Sequence, residues 1–313
     1  MKRIFFTIFV VLILLNINIY AQRHELGVFL GTSYYIGDLN ESGHFGMPSP
    51  AFGLEYRYAI NPRFALKING YYGKIRADDA ITGTKERNLS FESPLIDVGA
   101  QVELNFFEYS AGSQTHRFTP YITAGVSLFH FNPMAKFEGE LFELQPMGTE
   151  GQNTTQYPDR KPYKLTSIAI PFGIGCKWSI SPIVTLSFSW GLRKTFTDYL
   201  DDVSTTYASP SVLSAENGPY SMVLGNRSFE NTPLYDNGWG EPYDDPNAVD
   251  PESFPLYPND FAELMTDYQR GNSKNKDWYS FAGLTITFKI VGPKANSCPA
   301  YQRHFQYREY YIF

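Results

Sequence analysis

The sequence predicts an all-β fold, an eight-stranded antiparallel transmembrane β-barrel with long outer loops and a periplasmic C-terminal tail. Eight segments alternate apolar with polar or small residues over the roughly 9 to 11 positions that a tilted strand needs to cross a bilayer. The connections between these segments alternate between short and long. Beyond the N-terminal segment no stretch is apolar enough for a spanning helix, and a closed barrel then pairs every backbone polar group in lipid.

The N-terminal segment has the layout of a secretory signal peptide. Lys2 and Arg3 precede an apolar run at positions 4–15, and a polar stretch ends at Ala21. A membrane-anchoring helix is the alternative, but the run is about half the ~20 apolar residues that a spanning helix needs. We therefore divide the chain into a signal peptide (1–21), an outer-membrane barrel (22–290) and a periplasmic tail (291–313).

The amino-acid composition argues against some classes of function. Aromatic residues make up 17% of the 313 residues, and the net charge is -6. A nucleic-acid-binding protein usually carries a basic patch, so nucleic acid is not an expected partner. The two cysteines, Cys176 and Cys298, are too few for a disulfide scaffold.

The fourth predicted strand separates a membrane barrel from a soluble sandwich. From Ile96 to Phe106 apolar residues alternate with polar ones that include Asp97, Gln101 and Glu103. A sandwich would bury these charges in an apolar core, whereas a barrel places them in its lumen. The eight predicted strands lie near 24–37, 52–60, 64–76, 96–106, 118–132, 168–178, 184–192 and 279–289.

The connection lengths agree with short periplasmic turns and long outer loops. The short connections are 61–63, 108–116 and 181–182, and the long ones are 38–50, 77–90, 133–164 and 199–276. The last loop holds 13 acidic residues and a Pro-rich stretch at 242–258. We predict that this loop is a surface element and not a linker between domains, and its Pro-rich stretch argues for irregular structure.

The tail after the eighth strand is predicted to bind a partner. It carries three basic residues against Glu309 alone, together with six aromatics, and Arg and aromatic residues are enriched at interface cores. The candidate partner-binding residues are Cys298, Tyr301, Arg303, Phe305, Tyr307 and Arg308. In an oxidising periplasm Cys298 suggests a covalent link to another protein, with a free thiol or a bond to Cys176 as alternatives.

No constellation in the sequence predicts catalysis. The five histidines are scattered without metal-ligand spacing and are interpreted as surface or rim residues: His24, His44, His116, His130 and His304. The serines of the last loop have no histidine near them in sequence: Ser209, Ser211 and Ser214. We therefore predict no enzyme, no cofactor, no metal and no small-molecule substrate.

Three further residue groups need an interpretation. Asp198, Asp201 and Asp202 could meet His130 at the outer rim, but acidic rim residues are more often solvated or bind calcium loosely. Four glycines lie inside strands on the lumen side, where they make room in a narrow barrel: Gly27, Gly31, Gly173 and Gly175. Cys176 is expected to face lipid as a small apolar residue.

Four stretches resemble a known family. They are INPRFALK at the first turn, FTPYITAGVSLFHFNP in strand five, IAIPFGIGCKW in strand six and LRKTFTDYLDDVSTTY leaving strand seven. The first is shared loosely by many barrels, whereas the fourth, at positions 192–207, is much more specific. Nearly the whole mature chain resembles PorG, an outer-membrane barrel of the type IX secretion system of the Bacteroidota.

The resemblance implies a non-enzymatic structural component that anchors a periplasmic ring of PorK and PorN type to the outer membrane. That system secretes proteins and in some species supports gliding motility. The implied partners are outer-membrane lipids and the ring subunits. The alternatives are a small porin or transporter, or a surface-binding barrel acting through its acidic loop. An eight-stranded barrel is filled by its own inward side chains, which argues against a pore.

Overall fold

A computed structural model describes residues 24–40, 43–82, 87–228 and 266–290 of the chain. The predicted signal peptide at 1–21 lies outside the described residues. The predicted tail at 291–313, with all six candidate partner-binding residues and His304, also lies outside them.

Ten antiparallel strands form one sheet, and eight of them close into a barrel. The strands are β1 (His24–Ile36), β2 (Ser49–Ala59), β3 (Phe64–Asp78), β4 (Ser90–Asn105), β5 (Phe118–Phe131), β6 (Met134–Phe137), β7 (Glu140–Glu143), β8 (Thr166–Ser179), β9 (Val184–Thr195) and β10 (Trp278–Lys289). Strand β1 pairs with β2 on one side and with β10 on the other, which closes the barrel. The eight predicted strands and the antiparallel barrel are confirmed.

The helices are short and lie in the long connections between the strands. They are α1 (Asp79–Thr82), α2 (Leu144–Met147), α3 (Pro210–Val212) and α4 (Pro219–Gly225), and a π-helical turn at Leu213–Asn217 joins the last two. Within the described ranges, none of these helices has the length and apolar character needed to cross a membrane.

The two faces of the barrel wall differ as the alternation predicts. Leu30, Leu54 and Val126 point outward and are 61%, 66% and 61% exposed. Glu55 and Glu103 point into the lumen and are 5% and 0% exposed. An apolar outer surface around a polar interior is the reverse of a soluble barrel and is typical of a barrel surrounded by lipid.

The barrel has a turn end, with the three short connections, and a loop end, with the long ones. At the turn end the Asn61 side chain accepts hydrogen bonds from the backbone N–H groups of Arg63 and Phe64, both at 2.8 Å. The turn between β4 and β5 folds across the mouth of the barrel, where the Tyr109 hydroxyl is 2.7 Å from that of Thr185. The turn between β4 and β5 therefore partly covers the opening of the barrel at the turn end.

The first long connection folds back onto the outside of the barrel wall. Tyr34 points outward but is fully buried, because Phe45 packs on its ring at a centroid distance of 4.7 Å. The Tyr34 hydroxyl accepts a hydrogen bond from Trp190 Nε1 at 2.8 Å and lies 3.2 Å from His44 Nδ1. Aromatic residues with a polar edge are enriched where a membrane protein meets the interface between lipid and water.

Two predictions about the connections are corrected. The predicted loop 133–164 contains the β6–β7 hairpin and α2. The predicted surface loop 199–276 is folded at 199–228, where Leu200 and Val203 are buried. Local alternation could not show this, because the partners of these residues lie far away in the chain. The Pro-rich stretch of this loop at 242–258, for which irregular structure was predicted, lies outside the described residues.

Candidate functional site

A network of buried charges fills the lumen near the turn end. Glu103 is fully buried and forms an ion pair with Lys177 on β8, and its Oε2 lies 3.2 Å from Arg57 Nε on β2. Arg57 Nη1 donates to Glu25 Oε2 on β1 at 2.9 Å. These four residues, which we call the lumen network, join strands from all sides of the barrel across its axis. A buried ion pair is retained only when each charge has partners, as here.

Further polar side chains fill the lumen toward the middle of the barrel and contact each other. The Tyr71 hydroxyl donates to Glu55. Asn69 Nδ2 and the Tyr279 hydroxyl both donate to the Asp97 carboxylate, each at 2.8 Å. The inward side chains of opposite strands therefore touch, as expected for an eight-stranded barrel.

An aromatic layer occupies the lumen above these contacts. The ring of Phe29 lies 4.7 Å from that of Tyr71, and the ring of Phe281 lies 5.1 Å from that of Tyr71. The Arg193 guanidinium stacks over the Phe281 ring at 4.7 Å. The Phe129 and Tyr279 rings are also 5.1 Å apart. These described aromatic side chains therefore pack against each other across the lumen at this level.

A polar cavity remains at the turn end. It has a volume of about 200 Å³ and is lined by Glu25, Arg57, Asn105, Tyr109 and Lys177, among others. It opens toward the short turns and stops at the lumen network.

The loop end is closed by a folded cap, which we define as residues 144–165, 199–228 and 266–277. At its centre Arg270 Nη1 donates to Glu150 Oε1 at 3.0 Å, and Nη2 lies 3.7 Å from Asp202 Oδ2. Asp202 also accepts hydrogen bonds from Thr149 and from the Tyr163 hydroxyl. All three parts of the cap therefore meet at one buried cluster.

Burial raises the pKa of two groups in this cluster, Asp202 and Tyr163. Burial raises the pKa of Asp202 to about 6, although the Arg270 guanidinium opposes the rise. Burial also raises the pKa of Tyr163 well above its usual value, and the Asp202 charge adds to the rise. The cap therefore holds a carboxyl group that titrates near neutral pH.

The base of the cap is joined to the barrel through Tyr35. The Tyr35 hydroxyl lies 2.5 Å from Asp201 Oδ2 and 3.0 Å from Asp277 Oδ1. Burial raises the pKa of both aspartates well above the usual value, and the Asp201 charge adds to the rise at Asp277. Burial likewise raises the pKa of the nearby Asp198 to about 6. One hydroxyl thus connects β1 to both ends of the long loop.

One family model matches more than half of the chain. The model of the family described as Domain of unknown function (DUF6089) matches residues 2–215. The chain belongs to the DUF6089 family. No curated protein sequence matches this DUF6089 chain.

Several solved barrels resemble this DUF6089 protein. The crystal structure of Neisserial surface protein A has a TM-score of 0.37 and 10% identity, covering 85% of this chain and 96% of that one. The outer membrane protein OprG from Pseudomonas aeruginosa has a TM-score of 0.36 and 8% identity, covering 85% and 97%. Ail of Yersinia pestis, in complex with the heparin analogue sucrose octasulfate, has a TM-score of 0.32 and 10% identity, covering 54% and 86%.

The DUF6089 barrel separates the residues that the sequence suggested for a rim site. Asp198, Asp201 and Asp202 are 2%, 2% and 0% exposed, so the expectation of solvated rim acids is wrong. His130 faces outward on β5 and bonds to the Thr166 hydroxyl at 3.0 Å instead of meeting them. No group of three or more His, Cys, Asp or Glu residues in the described part of the chain has the geometry to hold a metal ion.

The other described candidates have structural partners. His24 lies 2.6 Å from the Tyr56 hydroxyl, and His116 lies 3.0 Å from the Thr115 hydroxyl. Ser209 and Ser211 bond to each other at 2.8 Å. The ring nitrogens of the four described histidines, His24, His44, His116 and His130, lie at hydrogen-bond distance from Tyr and Thr hydroxyls.

The cysteine and the lumen glycines agree with the barrel register. Cys176 is partly exposed and pairs in register with Phe188 and Pro120 on the neighbouring strands. A Cβ atom at Gly175 would lie 2.5 Å from Cζ of Tyr121. Gly175 therefore makes room for an inward ring, as the sequence suggested.

Sequence reasoning missed Tyr35, Glu150, Arg270 and Asp277. The side chains of these residues hold the cap together and join it to the barrel, but no local sequence pattern marks any of them. The available signal was the run at 198–203, where Leu200 and Val203 lie among three aspartates in a segment that was interpreted as a surface loop, and both are buried.

Proposed function

We propose that this protein is a non-enzymatic structural component of the outer membrane of a Gram-negative bacterium. The apolar outer surface of the barrel supports this location. Exposed apolar side chains occur on all eight barrel strands, for example Leu26, Phe52, Ile68, Val98, Leu128, Ile174, Leu186 and Ile286. In water such a continuous apolar surface would drive association, whereas in lipid it is the expected exterior.

The side chains that fill the lumen support the proposal that the barrel is an anchor and not a pore. Glu103 bridges Arg57 and Lys177 across the axis, and the rings of Phe29, Tyr71 and Phe281 pack above them. A solute would have to displace buried ion pairs and close-packed rings to pass. The function then depends on surfaces and not on a channel.

We further propose that the anchored partner is the periplasmic ring of a Bacteroidota type IX secretion system, built from PorK-like and PorN-like subunits. The resemblance of the strand-seven exit at 192–207 to PorG supports this. The geometry of the last strand is compatible with it, because the Ile290 N–H donates to His24 O at 2.8 Å and Lys289 Nζ donates to Ala111 O at 2.9 Å. Ile290, the last described residue, therefore lies at the turn end of the barrel. The proposal assigns this end to the periplasmic side, where the resemblance implies the ring.

Truncation after Ile290 tests this proposal. We expect the truncated barrel to fold and to reach the outer membrane, but to lose ring subunits in a pull-down. A chain in which residues 291–313 are replaced by a Gly-Ser segment of equal length is the matched control for length. Full retention of ring subunits by both variants would reject the tail as the contact. A non-reducing gel of native membranes tests Cys298, since a monomer band unchanged by reductant would exclude a covalent partner.

A second candidate is surface binding at the loop end. The specific observation that favours it is the folded cap, since loops that hold a defined structure beyond a barrel rim are often functional. Replacing residues 229–265 by a short linker, followed by separate assays of protein secretion and of cell-surface binding, distinguishes the two. Loss of surface binding with normal secretion would favour this candidate over the anchor.

A further inference from the structure

A groove lies on the outside of the barrel wall at its loop end. It has a volume of about 430 Å³, with β3 and β4 on one side and the β6–β7 hairpin on the other. The two sides are joined in register at the pair Glu92 and Met134 alone, which leaves the space between them open.

The groove continues the lipid-facing surface. Tyr72 and Ile96 are paired in register, point outward and are 44% and 48% exposed. Arg76 points to the same side four residues farther along β3, about 13 Å along the strand at ~3.3 Å per residue. On a tilted strand this distance leads from the hydrocarbon into the headgroup layer, which adds about 5 to 8 Å on each side of the hydrocarbon core.

The acidic side chains in the groove have partners that donate to them, whereas the basic side chains have no acidic partner among the described residues. Glu92 is neutralised by Lys74, whose Nζ lies 2.9 Å from Glu92 Oε1. Asp78 accepts a hydrogen bond from the Ala80 N–H at the start of α1. Among the described residues, the Arg76 side chain donates to a backbone carbonyl, that of Pro48, at 3.3 Å.

Two cations are left for a ligand. Within the described residues neither Arg76 nor Lys136 has a carboxylate at ion-pair distance, and both side chains are exposed. Arg and Lys are the side chains that bind phosphate through charge-assisted hydrogen bonds. The apolar part of the lining is Met47, Met134 and Leu141, and methionine adapts to irregular apolar surfaces.

We infer that this groove binds the phosphate-bearing headgroup of an outer-leaflet lipid, with Arg76 and Lys136 on the phosphate and Met47, Met134 and Leu141 on the adjoining apolar part. The inference rests on the proposed membrane location. A lipid is the occupant that matches both parts of the lining, because the groove is continuous with the lipid-facing wall and its free charges are positive on a chain of net charge -6.

Native mass spectrometry of the full chain in detergent tests the inference. The probes are dioleoyl phosphatidic acid, dioleoyl phosphatidylcholine and inorganic phosphate. We expect the wild type to retain phosphatidic acid in preference to phosphatidylcholine. The variant R76Q/K136Q should lose at least about tenfold in apparent affinity, since hydrogen bonds to charged groups have that order of effect.

The matched control is K161Q/K164Q, which removes two positive charges from exposed lysines in the segment before β8 and should bind as the wild type does. Equal retention of phosphatidic acid by R76Q/K136Q, or equal retention of phosphatidylcholine by the wild type, would overturn the inference. Displacement of the lipid by an equal concentration of inorganic phosphate or of an acidic peptide would also overturn it, in favour of a free anion or a protein partner.

Cell fractionation separates this inference from the proposed function. If the wild type is absent from the outer-membrane fraction, the membrane location itself fails, whatever the lipid measurement shows. If the wild type and R76Q/K136Q both fractionate with the outer membrane but retain phosphatidic acid equally, only the groove assignment fails.

Discussion

Arg270 and Glu150, 120 positions apart in the chain, form an ion pair with side chains that are 2% and 0% exposed. The pair joins the segment before β8 to the segment before β10. Arg270 also donates to the backbone carbonyls of Asp202 and Gly225, so a single side chain holds three parts of the cap.

Replacing Arg270 by alanine should release the cap without opening the barrel. The change leaves Glu150 and Asp202 buried without their cation, and breaking a buried pair in this way costs on the order of 3 to 5 kcal/mol. Hydrogen exchange should therefore accelerate at residues 199–204 but not in the barrel strands. Lys274 is exposed in the same segment, and its alanine variant is the control. Unchanged protection at 199–204 in R270A would contradict this role.

The cap should be less stable at neutral pH than at acidic pH. Burial raises the pKa of Asp198 and of Asp202 from the usual 3.8 to about 6. The folded cap thus holds protons that the unfolded cap releases near pH 4, so this stabilisation is present at low pH and is lost as pH rises through about 6. Asp201 and Asp277 shift in the same direction.

Hydrogen exchange at 199–204, corrected for intrinsic rates, measures this dependence between pH 4 and pH 7. In D198N the slope should be smaller, because one of the titrating groups is removed. The exposed Asp159 provides the control variant D159N, which should keep the full slope. A cap that gains protection as pH rises would show that the sign is wrong.

Gly175 and Gly70 should respond differently to alanine. A Cβ atom at Gly175 would lie 2.5 Å from Cζ of Tyr121 and 2.4 Å from Phe188 O, whereas a Cβ atom at Gly70 has no heavy atom within 4 Å. Overpacking typically costs about 1 to 3 kcal/mol. We expect a loss of that size in the free energy of unfolding for G175A and almost none for G70A, measured by urea unfolding in lipid vesicles. Equal losses would mean that the Tyr121 ring moves aside freely.

Removing the long loop, which holds two of the three parts of the cap, should not create a channel. A chain in which residues 199–276 are replaced by a short turn keeps the lumen network and the aromatic layer, so we expect no steady conductance in planar bilayers. The additional replacement of Arg57, Glu103 and Lys177 by alanine removes three of the four side chains of the lumen network and serves as the comparison. A steady open state in the wild type or in the chain without the loop would favour a transporter.

The sequence predicted the wall of the barrel because alternation with period two is a local property. From Ile96 to Phe106 the side of each residue follows from its neighbours alone, and the register confirms it. The first turn was equally local, since Asn61 accepts its hydrogen bonds from residues two and three positions ahead.

The cap could not be predicted in the same way. Asp201 looks like a surface acid until Tyr35, 166 positions earlier, is known to bind it. The β6–β7 hairpin has strands of only four residues, too short for alternation to separate them from a loop. The candidate partner-binding residues of the tail stay a prediction, because they lie outside the described residues.

The two ends of the long loop pair with each other through their backbones. Thr206 and Gln269 form a bridge, and the backbone of Tyr207 bonds to that of Asp267 and Tyr268 at 2.9 Å. Residues 208–266 are therefore inserted at a point where the chain pairs with itself, and the first part of this insert, up to residue 228, belongs to the cap. An epitope grafted between 229 and 265 for display on cells would leave the sequence of this pairing and of the barrel strands unchanged.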